Sequence, residues 1–399
     1  MPLSDSPNDT TALWRQVAAD TMLPCPRYGT HRAATPAATL CRIKPLLARA
    51  GITRLADVTG LDWVGLPVYQ AIRPNSRNLS VSQGKGLTRA QAKVSALMES
   101  LETFHAERID QPGVWATVGE MRRTLAYDPY TLPLAEPCYL TDATPLAWVA
   151  ATDLLTGAPT WVPRVLCELD VALQERWYVP LFLASSNGLA SGNTVTEALL
   201  HGLYEVIERD TLWRCAETRL APERSVALDS IAPRLARRVL DRFAAAGLRT
   251  HVADLTGPTG LPCFEVWLDH PEAPSLYGGS GCHPSRLTAL LRALTEAAQS
   301  RLTYIAGSRD DVAREAYHHA RSPSGAPPRP PFPDESRRRF AEVPSFPTAA
   351  SQELLREVVG RVRRMTGQSP VAVDLRRPEF GLPVAFVVAP GLRLGDWQL

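Results

Sequence analysis

The sequence predicts an α+β fold assembled from repeated strand-and-helix units, with mixed or antiparallel sheets. Three observations carry that expectation. A stretch around Glu99 recurs around Glu205 at a constant offset of 106 residues. Each copy shows helical signals after a glycine turn, and short runs of branched and aromatic residues lie ahead of the copies. The chain, 399 residues with 45% apolar and 21% charged side chains, has enough material for a large core in one big domain or two smaller ones.

Gly86–Glu102 (GLTRAQAKVSALMESLE) and Gly192–Glu208 (GNTVTEALLHGLYEVIE) align without a gap. Gly86 pairs with Gly192, Thr88 with Thr194, Ala92 with Ala198, Leu97 with Leu203, Glu99 with Glu205 and Glu102 with Glu208. A third copy, Ala289–Gln299, sets Ala289, Leu294, Glu296 and Gln299 against Ala92, Leu97, Glu99 and Glu102, so a glutamine replaces the last carboxylate. The spacing far exceeds that of solenoid repeats, which points to one domain built from similar units.

Thr88, Thr194 and Ser285 are placed to cap the three helices. Val94, Leu97, Met98 and Leu101 form the apolar face of the first; Leu199, Leu200, Leu203, Val206 and Ile207 form that of the second, so both helices should be largely buried. Pro67–Ile72, Trp177–Leu183 and Cys263–Leu268 read as strands. Of the 35 prolines, a dense group lies in Ser322–Pro347, where missing amide donors preclude regular structure. The expected organisation is an N-terminal extension and helical region (1–64), a catalytic core (65–320), a proline-rich linker or loop (321–348) and a C-terminal part (349–399) completing the domain. That last part holds a helix over Ser351–Met365 and strands at Val371–Asp374 and Val384–Val388.

A net charge of +2, from 43 basic and 41 acidic residues mostly interspersed, leaves no basic field for a phosphate backbone, so nucleic acid is not expected as a partner. The polar start, Met1–Arg15, lacks the marks of a secretion signal, and no run approaches the roughly 18 apolar residues of a membrane span. A cytoplasmic location without membrane contact is expected. The seven cysteines stand singly, with no Cys-x-x-Cys pair, and read as buried reduced thiols.

On a helix, Ser95, Glu99 and Glu102 share one stripe, and Glu197, His201, Glu205 and Glu208 share another. Two carboxylates three residues apart repel, and burying one unpaired costs several kcal/mol, so a cation is expected between them. A solvated acidic face paired with Arg108 or Arg209 is the alternative for one helix alone; the same Glu-x-x-Glu in both copies weighs against it. Carboxylates from two helices suit magnesium, which completes its octahedron with waters and phosphate oxygens. Polar stretches at Ser82–Gly86 and Ser185–Gly188 offer backbone amides for phosphates or ribose, although Gly84-Lys85 is followed by Gly86 and so departs from the Walker pattern.

Together these blocks resemble the YcaO family. They are Gly-Lys-Gly at 84–86, Ser-x-x-x-Glu-x-x-Glu at 95–102, Ser-Asn-Gly-x-Ala-x-Gly at 186–192 with Glu205-x-x-Glu208-Arg209-Asp210, and Glu296-Ala297-x-Gln299-x-Arg301 followed by Arg309-Asp310-Asp311. The resemblance covers about residues 65–315. It implies a YcaO-like domain that uses ATP and magnesium to phosphorylate the oxygen of a peptide backbone amide. It also implies that Glu99, Glu102, Glu205 and Glu208 ligate magnesium, with Glu205, Glu208 and Arg209 at the catalytic centre. Lys85, Ser95, Ser186, Asn187, Glu197, His201, Gln299 and Arg301 would line the nucleotide pocket, a buried hydrogen-bonded histidine being the alternative for His201.

In the family a substrate side chain gives an azoline, whereas an external sulfur donor gives a thioamide. The sequence lacks zinc-binding Cys pairs and a Pro-x-Pro-x-Pro ending, which favours thioamide formation beside a separate TfuA-like protein. An azoline-forming cyclodehydratase with a separate leader-binding partner is the alternative, and a non-catalytic scaffold for ATP or peptide is another. The substrate would be a precursor peptide or protein, and a homodimer is left open. Glu102-x-x-His105 copies a di-iron ligand pattern, but Thr211 stands at the equivalent place in the second copy.

Overall fold

The computed structural model describes residues 11–20, 25–27, 30–171, 179–270, 276–309, 311, 332–333, 335, 337–346 and 351–394. In chain order the first elements are α1 (Thr11–Ala19), β1 (Cys25–Arg27), β2 (Thr30–Arg32), α2 (Pro36–Ile43), β3 (Arg54–Asp57), β4 (Val68–Ile72), β5 (Val81–Lys85) and α3 (Arg89–Ala106). Next come β6 (Val114–Thr117), α4 (Val118–Met121), β7 (Pro145–Asp153), β8 (Pro159–Pro163), α5 (Arg164–Cys167), β9 (Leu189–Ser191) and α6 (Val195–Arg214). The rest are α7 (Arg234–Ala245), β10 (Arg249–Asp254), β11 (Cys263–Asp269), β12 (Leu276–Cys282), α8 (Arg286–Ala306), α9 (Ser351–Thr366), β13 (Val371–Asp374) and β14 (Val384–Val388). The chain divides into two compact units, one of residues 1–24, 102–210 and 349–399, the other of 25–101 and 211–348.

The three expected repeat helices form where the sequence places them, each behind a strand: β5 and α3, β9 and α6, β12 and α8. Their caps work alike. Thr88 Oγ1 accepts from the Gln91 amide at 3.2 Å, Thr194 Oγ1 from Glu197 at 3.2 Å, and Ser285 Oγ from Thr288 at 3.4 Å. The Gly–Ala matches have a steric cause. A Cβ on Gly86 would lie 2.8 Å from the Ala92 amide nitrogen, and one on Gly192 would lie 2.6 Å from that of Ala198. Gly84 and Gly281 stand in the same relation to α3 and α8: a Cβ on Gly84 would sit 2.0 Å from the Ala96 nitrogen, and one on Gly281 2.2 Å from the Ala289 carbonyl oxygen. Strand and helix meet backbone to backbone at these points, which only glycine allows.

In the unit of residues 25–101 and 211–348, two three-stranded antiparallel sheets run β3-β4-β5 and β10-β11-β12. Helix α7 places Ala236, Val239, Leu240 and Phe243 on one buried face, the three-and-four spacing of an amphipathic helix, and its arginines on the other. These residues join Phe264, Val266 and Leu268 of β11 and Leu290, Leu294 and Ala297 of α8 in one core.

The expected linker is corrected over its described end. Phe340 and Val343 belong to this core with 4% and 1% exposure, Phe340 stacks on Phe264, and the Ala227 amide donates to the Arg338 carbonyl at 2.9 Å. Proline excludes helix and central strand but not burial of the aromatic residues between prolines. Residues 322–331 lie outside the described residues. Phe340→Ala is therefore expected to lower stability by about 3–5 kcal/mol in denaturant unfolding, whereas an unpacked linker would lose nothing.

In the other unit the strands are ordered β6-β7-β13-β14-β9, with β8 also paired to β7, all antiparallel. Helix α6 lies close against this sheet: a Cβ on Gly202 would stand 2.7 Å from the Gly188 carbonyl oxygen and 2.8 Å from Val387 Cγ2. Leu199, Leu203 and Ile207 are buried there, as are Leu355, Val358 and Val362 of α9. The strand expected at Trp177–Leu183 is not formed over its described part, where Phe182 makes only an isolated bridge to Leu134. Pro180 and Pro133 lack the amides that would extend the ladder. Cysteines 167, 215, 263 and 282 are buried and reduced as expected, but Cys41 and Cys138 are exposed. His105 is buried against Phe380, ring centroids 5.1 Å apart, in the manner of a packing residue. Among the described residues no helix is long and apolar enough to cross a membrane.

Candidate functional site

Five of the expected site residues, Lys85, Ser95, Glu99, Gln299 and Arg301, belong to the unit of residues 25–101 and 211–348. Glu99 emerges half-buried from α3 and accepts the Gln83 amide of β5 through Oε1 at 3.2 Å. Sixteen residues likewise separate Ser280 of β12 from Glu296 of α8, and Glu296 Oε1 accepts the Ser280 amide at 3.4 Å and its hydroxyl at 3.3 Å. The repeat thus extends to a shared use of a strand amide. Lys85 is ion-paired with Glu296. Arg301 is held by Asp62, Nε to Oδ2 3.1 Å, and lies over the Tyr277 ring at 5.2 Å. Gln299 and Ser95 are half-buried on α8 and α3.

Burial raises the pKa of Glu99, as does the Glu296 carboxylate, while the Gln83 amide, Arg309 and Lys85 oppose the rise. Burial is thus the largest influence on this carboxylate. Sequence reasoning left Glu296, Asp62 and Arg309 without a role. Glu296 was detectable as the repeat partner of Glu99; Asp62 carries no motif.

The other unit holds Glu102, Ser186, Asn187, Glu197, His201, Glu205, Glu208 and Arg209. Glu102 Oε1 accepts both the amide and the hydroxyl of Ser191, at 2.8 and 2.5 Å. The Asn193 amide group donates to both oxygens of Glu197, at 3.1 and 3.3 Å, and so sets this carboxylate on the first turn of α6. His201, Glu205 and Glu208 follow at one-turn intervals along α6; His201 and Glu205 are half-buried, and Glu208 is 2% exposed with Arg209 at 3.9 Å. Ser186 is exposed, and Asn187 lines an apolar pocket that none of the four glutamates lines.

Among the described residues no three His, Cys, Asp or Glu side chains form a cluster able to hold a metal by themselves. The donor set nevertheless fits magnesium, a hard ion usually held by one or two carboxylates together with substrate phosphates. A carboxylate such as Glu99, whose charged form burial disfavours, is the kind of group such an ion satisfies.

The sequence matches the family model described as YcaO cyclodehydratase, ATP- and Mg2+-binding, over residues 83–393. An uncharacterized protein of Mycobacterium tuberculosis is 38% identical over 376 residues, covering 93% of this chain and 84% of that protein. An uncharacterized protein in a tfuA 3′ region of Rhizobium leguminosarum bv. trifolii is 36% identical, covering 91% of this chain and 89% of that protein. Among solved structures, YcaO from Methanopyrus kandleri bound with AMPPCP and Mg2+ shares the fold, with a TM-score of 0.70 at 24% identity over 93% of this chain and 94% of that one. With matched caps, paired glutamates and a family match over most of its length, the chain belongs to the YcaO family, whose domain binds ATP and Mg2+.

Proposed function

We propose that the protein activates a backbone amide of a ribosomally made peptide or protein, with external sulfur as nucleophile and a thioamide as product. The observation that carries this reading is the Glu-x-x-Glu pair repeated on α3 and α6 in a chain of this ATP- and Mg2+-binding family. Glu99, Glu102, Glu205 and Glu208 would hold magnesium. Lys85, Ser95, Ser186, Glu197, His201, Gln299 and Arg301 would contact the nucleotide. When bound, ATP and magnesium supply a phosphoryl group that turns the amide oxygen into a leaving group.

The chain's own part is placement and charge. The Asn193 fork fixes Glu197 and the Asp62 contact fixes Arg301 before substrate arrives, so little reorganisation is left for the reaction. Arg209 and Arg301 would stabilise the negative charge that develops on the transferred group. Sulfur attack is favoured over side-chain attack by the relative encoded in a tfuA 3′ region, which supports a TfuA-like protein as partner.

The test is mass spectrometry of a precursor peptide encoded beside this protein, incubated with ATP, magnesium, sulfide and the neighbouring TfuA-like protein. A gain of about 16 mass units, oxygen exchanged for sulfur, is expected, with ADP and phosphate as coproducts. A loss of about 18 mass units without any sulfur requirement would instead make the protein a cyclodehydratase. Release of AMP and pyrophosphate would contradict phosphoryl transfer.

A further inference from the structure

The loop before β9 is held on both sides. The Asn187 amide donates to Ser185 Oγ at 3.2 Å, the Leu189 amide to the Ser186 carbonyl at 2.9 Å, and the Val387 amide of β14 to the Gly188 carbonyl at 2.9 Å. Gly188 has φ of 93°, in the left-handed region, and a Cβ there would lie 2.1 Å from the Val387 carbonyl oxygen. Asn187 is thus fixed by its backbone on either side. Its carboxamide nitrogen and oxygen are both shielded from solvent and have no hydrogen-bond partner among the described residues. A group in that condition is normally matched by a ligand or an ordered water.

Asn187 lines a pocket that is partly open to solvent, whose walls include Leu166, Leu183, Val206, Phe386 and Leu392. Among the described residues no charged side chain lines it. Val206 stands next to Glu205 on α6.

We propose that this pocket takes an apolar side chain of the peptide substrate while the Asn187 carboxamide pairs with the backbone amide beside it. A carboxamide offers one donor and one acceptor side by side, which is the complement of a peptide N–H and C=O. Apolar walls suit a leucine-like side chain and penalise a charged one, which would lose its hydration without gaining a counter-ion. A nucleoside fits less well: among the described residues the one hydroxyl on the lining, Ser185 Oγ, already accepts the Asn187 amide, and no lining cation continues toward phosphates. Asn187, which the family resemblance alone assigns to the nucleotide, is thereby reassigned to the peptide. This inference rests on the amide-activating reading, whose own test at Glu205 leaves the pocket lining intact.

The probe is N-acetyl-leucine-N-methylamide, titrated against the full chain by ligand-observed NMR beside its aspartate and lysine counterparts. The leucine amide is expected to bind, the charged amides at least about tenfold more weakly. Leu183→Trp, which fills the pocket, and Asn187→Asp, which removes the donor, should each weaken the leucine amide at least about tenfold. Leu183→Trp should leave Mg-ATP affinity within about twofold, since the residue is distant in role from the glutamates. Leu394→Trp, at a half-buried lining position, replaces it should the first variant fail to fold. Absence of binding, equal binding of the charged amides, indifference to both tryptophans, or competition by adenosine for the leucine amide would each overturn the assignment. Loss of Mg-ATP binding in Asn187→Asp with the leucine amide unaffected would return the residue to the nucleotide.

Discussion

Glu205→Gln should abolish ATP turnover, lowering it by about 100-fold or more, with the melting temperature little changed. Glutamine keeps the volume and helix propensity of glutamate, so α6 retains its packing through Leu199, Leu203 and Ile207. What is lost is a negative oxygen. A neutral amide oxygen would bind magnesium far less well, and a nucleotide held through that metal would be held less firmly. Glu99→Gln should act in the same direction on turnover, and because burial already disfavours the charged form of Glu99, neutralising it should stabilise the unliganded fold slightly. Calorimetric titration with Mg-ATP and a phosphate-release assay measure both effects. Unchanged affinity and turnover in both variants would remove these glutamates from the site.

Gly84→Ala should have the largest effect on the fold itself. Its new methyl would fall 2.0 Å from the Ala96 nitrogen and 2.3 Å from the Ala92 carbonyl oxygen, both main-chain atoms of α3 that no side-chain rotation can move aside. Either β5 or α3 must shift, at a cost of about 3 kcal/mol or more. Because the Gln83 amide carries Glu99, nucleotide binding should fall in step with stability. Gly65→Ala provides the contrast: nothing lies within 4 Å of the added carbon, and only its φ of 67° is strained, so about 1 kcal/mol is expected. Urea unfolding of the two variants compares them directly, and equal losses would disprove a steric role for Gly84.

The repeat made much of the fold legible, since the residues that match between copies are those that perform the same local task. Thr88, Thr194 and Ser285 cap, Gly86 and Gly192 admit the backbone of Ala92 and Ala198, and the apolar faces of α3 and α6 are buried where the three-and-four spacing puts them. Local rules suffice for such features. They do not reach Asp62 and Arg301, or Lys85 and Glu296, which meet across more than two hundred residues of chain and follow from tertiary packing alone. The proline-rich segment misled for a related reason. Its composition describes the backbone's conformational limits, whereas the burial of Phe340 and Val343 depends on a groove made by β11 and α8, far away in sequence.

The position of β14 bears on how the protein is made. It sits between β13 and β9, and β13 in turn pairs with β7, so the two latest strands among the described residues form the middle of their sheet. During synthesis β7 and β9 emerge long before the hairpin that joins them; β7 can already pair with β6 and β8, whereas β9 must wait for β14 with its amides and carbonyls unmatched. The sheet closes only after residue 388 has left the ribosome, which makes its pairing strongly non-local. A nascent chain stalled short of β13 would display the open edge of β9 to its neighbours, an arrangement prone to intermolecular strand pairing and in need of a chaperone's cover.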